Sequence, residues 1–268
     1  MTIAVASVPS ALRVTQARVI RSEWTKLRSL RSSVLSLLAA VVFIVGFSVL
    51  VPSVIVAQWP PREGLASFDP TARSLAGVFL AQLAVGVLGV LLVSGEYATG
   101  MIRATLAAVP RRLPMLWAKT VIYAAVTLAL TVPAVVGAFL IGQSIFTRQH
   151  VQTDLSHANV ARAVVGAALY LTVTGVLGLA LGALLRNTAA AISTLFGLLF
   201  VLPILVRFLP SNYADPINKY LPSSAGQAIT HVTPDATSLS PWTGFAVFCL
   251  YAVIVLAAAA VALRRRDA

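Results

Sequence analysis

The sequence predicts an all-α integral membrane protein: six transmembrane helices, an amino-terminal interfacial helix, a cytoplasmic elbow, and a re-entrant or cap-like region before the last span. Three observations predict it. Hydrophobic residues make up 59% of the 268 and charged ones only 10%, against roughly 25% charged in a soluble domain. Six apolar stretches, about 34–57, 75–93, 120–142, 163–185, 189–208 and 243–263, each approach the ~20 residues that carry a helix across a ~30 Å hydrocarbon core. The basic residues between them fall on alternate sides. Residues 1–32 then read as a cytoplasmic amphipathic arm and 33–268 as the six-helix membrane domain.

Charge gives the expected orientation, because cytoplasmic loops keep Lys and Arg during insertion. The arm (Arg13, Arg18, Arg21, Lys26, Arg28, Arg31), the second loop (Arg103, Arg111, Arg112, Lys119), Arg186 and the tail (Arg264, Arg265, Arg266) hold fourteen. The other side holds six: Arg62, Arg73, Arg148, Arg162, Arg207 and Lys219. Both termini are therefore expected in the cytoplasm, and the arginine-rich, alanine-rich composition suits the inner membrane of a bacterium with a GC-rich genome. The net charge of +12 is dispersed over juxtamembrane positions facing anionic lipid, so membrane lipid rather than nucleic acid is the expected partner of this charge. Cys249 is the only cysteine and falls in the last span, which leaves no disulfide framework and no thiolate metal site. The first 32 residues lack a short apolar core with a small-residue cleavage site, so the first span is expected to stay as an anchor.

The arm reads as an interfacial helix. At about 100° per residue, Ala17, Ile20, Trp24, Leu27 and Leu30 share one side while Arg18, Arg21, Lys26 and Arg28 share the other, with Glu23 and Arg31 blurring the edge. Trp24 suits a headgroup anchor. The plainer alternative is a basic topology signal whose helicity is incidental.

The second cytoplasmic stretch, 94–119, predicts a helix-turn-helix elbow. Thr99 would cap a short helix with Ile102, Leu106 and Val109 on one side and Arg103 on another; Pro110 would end it, and Pro114 suits the first turn of the next helix. Glu96 stands at the inner end of the second span, and a charge at the bilayer centre costs about 2.5 to 3.5 kcal/mol even on lenient scales. It therefore needs water or a cation, for which Arg103, Arg111 or a basic residue of the arm are candidates; a solvated helix-end acid is the alternative.

Within the spans, Gly178 and Gly182 form a G-x-x-x-G face suited to close helix approach, with Gly175 nearby. Intrachain packing and an oligomer seam are both open readings. Pro133 and Pro203 are expected to kink their spans. Gln82, Thr172, Thr174, Ser193 and Thr194 suit either a polar path or helix-to-helix bonding. The connection 209–242 carries Pro210, Pro216, Pro222, Pro234 and Pro241, which forbid a continuous helix, yet Tyr213, Ile217, Tyr220, Leu221 and Ile229 are too apolar for a solvated linker. Short broken helices, either dipping into the outer leaflet or forming an ordered cap, satisfy both facts.

Catalytic signatures are absent from the sequence. It has no G-x-x-x-x-G-K-[ST] phosphate loop and no H-E-x-x-H, and His150, His157 and His231 fall in expected external loops. No paired carboxylates lie deep in the spans to carry a proton relay.

Gly95, Glu96, Gly100, Met101, Ile102, Pro110, Arg111, Arg112 and Lys119 match positions of a run, G-E-x-x-x-G-[TM]-[IL] followed by P-x-[SR]-R-x-x-x-x-x-K, with Leu113 in place of its Arg, and the stretch resembles the permease subunits of ABC-2-type transporters. The E-W-x-K-L setting of Glu23, Lys26 and Leu27, the six spans and the proline-rich connection extend the resemblance over most of the chain. The chain departs from the pattern at Tyr97-Ala98-Thr99, where a basic residue commonly follows the Glu-Tyr pair. The resemblance implies a non-catalytic permease subunit of an ABC transporter, of exporter type, pairing with a second copy or a homologous permease and docking two separate ATPase subunits. It makes Trp24, Lys26 and Leu27 part of the interfacial helix and Met101 to Val109 the coupling helix. Glu96, Met101, Ile102, Arg103, Leu106, Val109, Arg111 and Arg112 become the coupling candidates. No cofactor is expected on this chain; ATP and Mg2+ belong to the partner. A secondary carrier, and an integral scaffold or sensor without ATP coupling, are the alternatives. The carrier fits less well, since neither internal repeats nor intramembrane ionisable groups are evident.

Overall fold

The computed structural model describes residues 16–29, 31–61, 64–65, 68–101, 112–233 and 237–265. Among these every regular element is a helix. The helices are α1 (Gln16–Ser29), α2 (Arg31–Ala57), α3 (Pro70–Ser74), α4 (Val78–Ala98), α5 (Arg112–Phe146), α6 (Val160–Leu185), α7 (Thr188–Phe196), α8 (Leu202–Val206), α9 (Ser211–Asn218), α10 (Pro222–Gln227) and α11 (Pro241–Arg265). Six helical stretches are long and apolar enough to cross a membrane: Ser32–Ala57, Val78–Ala98, Leu113–Gln149, Val160–Leu185, Thr188–Val206 and Pro241–Arg265. Several run past the apolar stretches themselves. The largest extension is in the third span, which continues outside the expected run through 113–119 at one end and 143–149 at the other.

Helix α6 is the axis of the bundle. It is 78% buried along its most apolar window, α4 is 61% buried, and the other four spans lie between 17% and 28%. The outer four present apolar flanks such as Leu35, Leu38 and Val42 on α2 and Val253 and Ile254 on α11, as expected where lipid or another membrane helix replaces water.

Small residues let α4 and α6 meet backbone to backbone. A Cβ on Gly178 would strike the Gly86 carbonyl oxygen, one on Gly89 would strike that of Gly175, and one on Gly182 would come within 2.7 Å of the Val90 carbonyl oxygen. The G-x-x-x-G face of α6 thus packs inside this chain against a second glycine face, Gly86 and Gly89. Tyr123 of α5 closes the third side, its hydroxyl donating to the Val85 carbonyl at 2.5 Å.

The fifth span is irregular. Between α7 and α8, residues Gly197–Val201 form a π turn closed by the Leu202 N–H on the Gly197 carbonyl. Pro203, which lacks an N–H and crowds the preceding turn, follows at once, so the helix widens where a regular bond is lost. Pro133, in contrast, lies inside the unbroken helix α5.

The connection before α11 is built of short pieces: α9, α10 and a 3-10 turn, Ala228–Thr230. Helix α10 and the turn are buried against α6 and α11, and Arg162 at the start of α6 donates to the carbonyls of Ile229, His231 and Val232. Prolines break the helix while the buried Leu221, Ala225 and Ile229 hold the pieces on the bundle.

Helix α4 runs on to Ala98. Thr99 is the carboxy-terminal cap of α4, its hydroxyl donating to the Gly95 carbonyl; the short helix it is expected to cap lies outside the described residues. Gly100 follows with φ +70 and donates to the Tyr97 carbonyl. This left-handed position is open to glycine at no steric cost, and it stops the span.

Candidate functional site

Four ionisable side chains from three helices meet at the end of the bundle that carries α1. The Lys119 ammonium of α5 donates to Glu23 Oε2 of α1 at 2.6 Å and to Glu96 Oε1 of α4 at 2.8 Å. Lys26 of α1 bridges the same two carboxylates, to Glu23 Oε1 at 2.9 Å and to Glu96 Oε1 at 3.1 Å. Glu23, Glu96 and Lys119 are buried; Lys26 is partly exposed, with 28% of its side chain accessible. The group sums to zero charge. A lone buried charge would be several kcal/mol uphill, whereas four alternating charges satisfy one another, so removing any one leaves a partner stranded.

Local helix geometry makes this possible. Glu23 and Lys26 are three residues apart and point to one side of α1, together with the buried Leu27. Trp24 is 49% exposed and Ile20 38%. The face of the arm that meets the protein is therefore centred on Glu23 and Leu27, not on the Ile20 and Trp24 stripe. The residue that seemed to blur the apolar face is its main contact. Gln16 adds a second tie, donating to the Pro114 carbonyl at the start of α5.

Burial pushes the Glu23 carboxyl up, but Lys119 and Lys26 more than offset it and hold its pKa below the usual value of 4.5. Burial lowers the Lys26 ammonium, and Glu23 and Glu96 reverse that, leaving it above 10.5. Both groups of the arm are thus charged throughout the neutral range.

Beside the cluster lies a cavity of about 230 Å³, with Leu27, Leu91, Leu92 and Ile122 as apolar wall and Gly95, Glu96 and Lys119 along one side. Met101 also lines it. Glu96 Oε1 receives both lysines, while its Oε2 is buried and has no hydrogen bond.

The remaining coupling candidates, Ile102, Arg103, Leu106, Val109 and Arg111, lie outside the described residues, as do the side-chain surroundings of Arg112. Of the cations considered for Glu96, the structure supplies Lys26 from the arm and adds Lys119. Sequence reasoning missed Lys119 and Glu23 as partners, although opposite charges at two span ends and an i, i+3 acid-base pair in the arm were visible signals.

Arg186, in left-handed conformation after α6 (φ 54), lies over the Tyr97 ring at 5.1 Å and donates to the Ala262 carbonyl of α11. The ends of α4, α6 and α11 therefore share the end of the bundle that holds the four charges Glu23, Lys26, Glu96 and Lys119, a clamp across α1, α4 and α5, and so do both termini of the described chain.

The opposite end has a polar network of its own without formal charge. The Tyr170 hydroxyl of α6 donates to Gln82 Oε1 of α4, and Gln227 Nε2 of α10 reaches the same hydroxyl at 3.4 Å. Gln82 Nε2 donates to the Phe79 carbonyl. Thr172 and Thr174 bond back to carbonyls of α6 itself, whereas Ser193 and Thr194 are exposed.

Comparison with known families gives a match: the model described as ABC-2 family transporter protein covers residues 60–268. The chain belongs to the ABC-2 transporter family. It is a multi-pass membrane component of an ABC transporter, and the match takes in Glu96, Lys119 and the whole opposite-end network while beginning after the arm. No curated protein matches the chain.

Proposed function

We propose that this ABC-2 family member is the permease subunit of an exporter, driven by a separate ATP-hydrolysing subunit that docks on the clamp's end. The observation that supports this most is the position of the clamp. The segment 102–111 begins six residues after Glu96 and ends eight residues before Lys119, and these two side chains are bonded directly, the Lys119 ammonium donating to the Glu96 carboxylate. A force applied to that segment reaches both spans together, and Lys26 and Glu23 pass it to the arm. The fourteen-to-six distribution of basic residues supports a cytoplasmic location for this end, where ATP is available.

In this reading, closure of a pair of ATPases moves the 102–111 segment. The clamp then shifts α4 and α5 as one body, and the glycine-lined α4–α6 contact carries the motion to the buried axis of the bundle. The chain itself performs no hydrolysis, since it lacks a phosphate-binding loop. Two copies of this chain, or this chain and a homologue, complete the path.

Leu106→Asp tests the docking. It places an unpaired charge in the proposed apolar contact, a change worth several kcal/mol, so co-purification with the ATPase is expected to fall at least tenfold while the amount of permease in the membrane stays near normal. Normal ATPase binding by Leu106→Asp, with loss of binding on matched changes in the tail, would place the docking site elsewhere. Orientation is checked separately in a Cys249→Ser background. Cysteines at Gln149 and Asn212 are expected to react with an impermeant thiol reagent from outside, and cysteines at Ala107 and Ala268 are not.

A further inference from the structure

Helix α9 presents three different sides. With 3.6 residues per turn, Tyr213 and Ile217 share one side, and Tyr220 follows them just past the helix end; Ala214 and Asn218 share a second, and Asn212 and Asp215 a third. The second side meets the protein. Ala214 and Asn218 are half-buried, and the Ser224 hydroxyl of α10 donates to Asn218 Oδ1 at 3.0 Å. The other two sides are exposed, one aromatic and aliphatic, the other an amide and a carboxylate. Water around both would leave Tyr213, Ile217 and Tyr220 wet, and hydrocarbon around both would strand the Asp215 charge. A boundary between the two media suits a helix divided in this way.

The depth of the helix agrees. The Tyr251 hydroxyl of α11 donates to the Tyr220 carbonyl at 3.2 Å. Tyr251 stands nine residues beyond Trp242, about 13 Å along the helix axis. Even with its ring leaning back toward the start of α11, the end of α9 therefore lies inward of Trp242, which is exposed where the last span begins, the place of a boundary aromatic.

Continuity and charge name the occupant. The exposed apolar flank of the fifth span, Ile204 and Leu205, leads through Phe208 and Leu209 to Tyr213. Arg207 is exposed beside it, and the Lys219 ammonium stands over the Tyr220 ring at 5.3 Å. These two cations against Asp215 leave a positive balance, which a layer of phosphate headgroups complements. Among the helices, α9 packs chiefly on α8, and α8 on the π turn, so protein covers little of it.

We propose that α9 lies in the phospholipid headgroup layer of the leaflet opposite the clamp, with Tyr213, Ile217 and Tyr220 against the first acyl carbons and Asn212 and Asp215 toward water. The partner is the lipid surface, and contact with it steadies the end of the fifth span beyond the π turn. The inference goes beyond the exporter reading and does not rest on it, since a chain inserted either way round carries this helix at the same depth.

Quenching of a fluorescent label tests the sides one by one. Tyr213→Cys, Ile217→Cys and Asp215→Cys are made singly in the full chain with Cys249→Ser, labelled with bimane and placed in nanodiscs of phosphatidylcholine and phosphatidylglycerol. Val253→Cys, on the exposed flank of α11, is the mid-span reference. The quenchers are iodide in the water, a nitroxide on the lipid headgroup, and a nitroxide midway along the acyl chain. The headgroup nitroxide is expected to quench at Tyr213→Cys and Ile217→Cys at least about threefold more than at Asp215→Cys, with iodide showing the reverse order and the mid-chain nitroxide strongest at Val253→Cys. Adding Ile217→Asp to the Tyr213→Cys chain puts a charge on the apolar side and is expected to raise iodide quenching there at least about threefold; no rise would contradict the proposal. It is also overturned by iodide quenching at Ile217→Cys equal to that at Asp215→Cys, which places the helix in water, or by mid-chain quenching there equal to that at Val253→Cys, which places it in hydrocarbon. Protection of both Tyr213→Cys and Ile217→Cys from all three quenchers would put a second copy or another protein over this side, and that too sinks it.

Discussion

The two ends of the bundle solve the same problem with different chemistry. At one end, Glu23, Lys26, Glu96 and Lys119 join α1, α4 and α5 through formal charges; at the other, Gln82, Tyr170 and Gln227 join α4, α6 and α10 through neutral amides and a phenol. A neutral network loses one hydrogen bond when a member is removed. A charged one also strands an ion, so it behaves as a unit that moves whole or breaks at high cost. The charged end is also where the chain leaves the spans for the segment 102–111. In the proposed exporter, force transmission belongs to the charged end and static packing to the neutral one.

The largest expected difference comes from Lys119→Met, which leaves the buried carboxylates of Glu23 and Glu96 with Lys26 alone. A loss of about 3–5 kcal/mol is expected, read as a markedly lower detergent-solubilised melting temperature and less protein in the membrane. If its effect is no greater than that of a neutral-end change, the charged end is not a unit. Tyr170→Phe is that neutral-end change. It leaves Gln82 Oε1 buried without its phenol donor, for about 1–3 kcal/mol, and export coupling is expected to survive in the fraction that folds.

The smallest expected effect is that of pH across the neutral range. Glu23 is depressed in the fold, so its stabilisation is complete above 4.5 and is lost only as pH falls through a still lower value. Lys26 is raised, so its share is complete below 10.5 and is lost as pH rises beyond that. Attachment of the arm, followed by fluorescence of Trp24, is expected to be flat between these limits and to weaken outside them. A transition near pH 7 would mean that one of the four groups is uncharged there.

The spans were legible in the sequence because each is a long apolar run, and hydropathy needs no tertiary knowledge. Gly175, Gly178 and Gly182 were legible by spacing, but not Gly89, Gly86 and Val90 opposite them, whose glycines lie three residues apart and belong to no familiar pattern. The prolines of 209–242 announced broken helices, while burial of α10 had to be seen, since Ser223 and Gly226 read as loop residues. The clamp was legible only in part. Glu96 called for water or a cation, but Lys119 looked like one more inside-positive charge and Glu23 like a flaw in an amphipathic arm. Their pairing spans 96 residues, a separation that local periodicity does not encode. The end of α4 at Thr99 was not legible, because a hydroxyl caps either helix end and the left-handed Gly100 that stops the span is visible only in the structure.

The most direct measurement is ATP-driven export by the double variant Glu96→Gln, Lys119→Met, reconstituted with its ATPase. The pair of changes removes one charge of each sign, so the clamp stays neutral and Glu23 with Lys26 remains bonded, while the tie between α4 and α5 is cut. The account predicts near-normal amounts in the membrane, normal ATPase binding through the intact 102–111 segment, and export reduced at least about tenfold per ATP hydrolysed. Export at the wild-type ratio from the same preparation would contradict it.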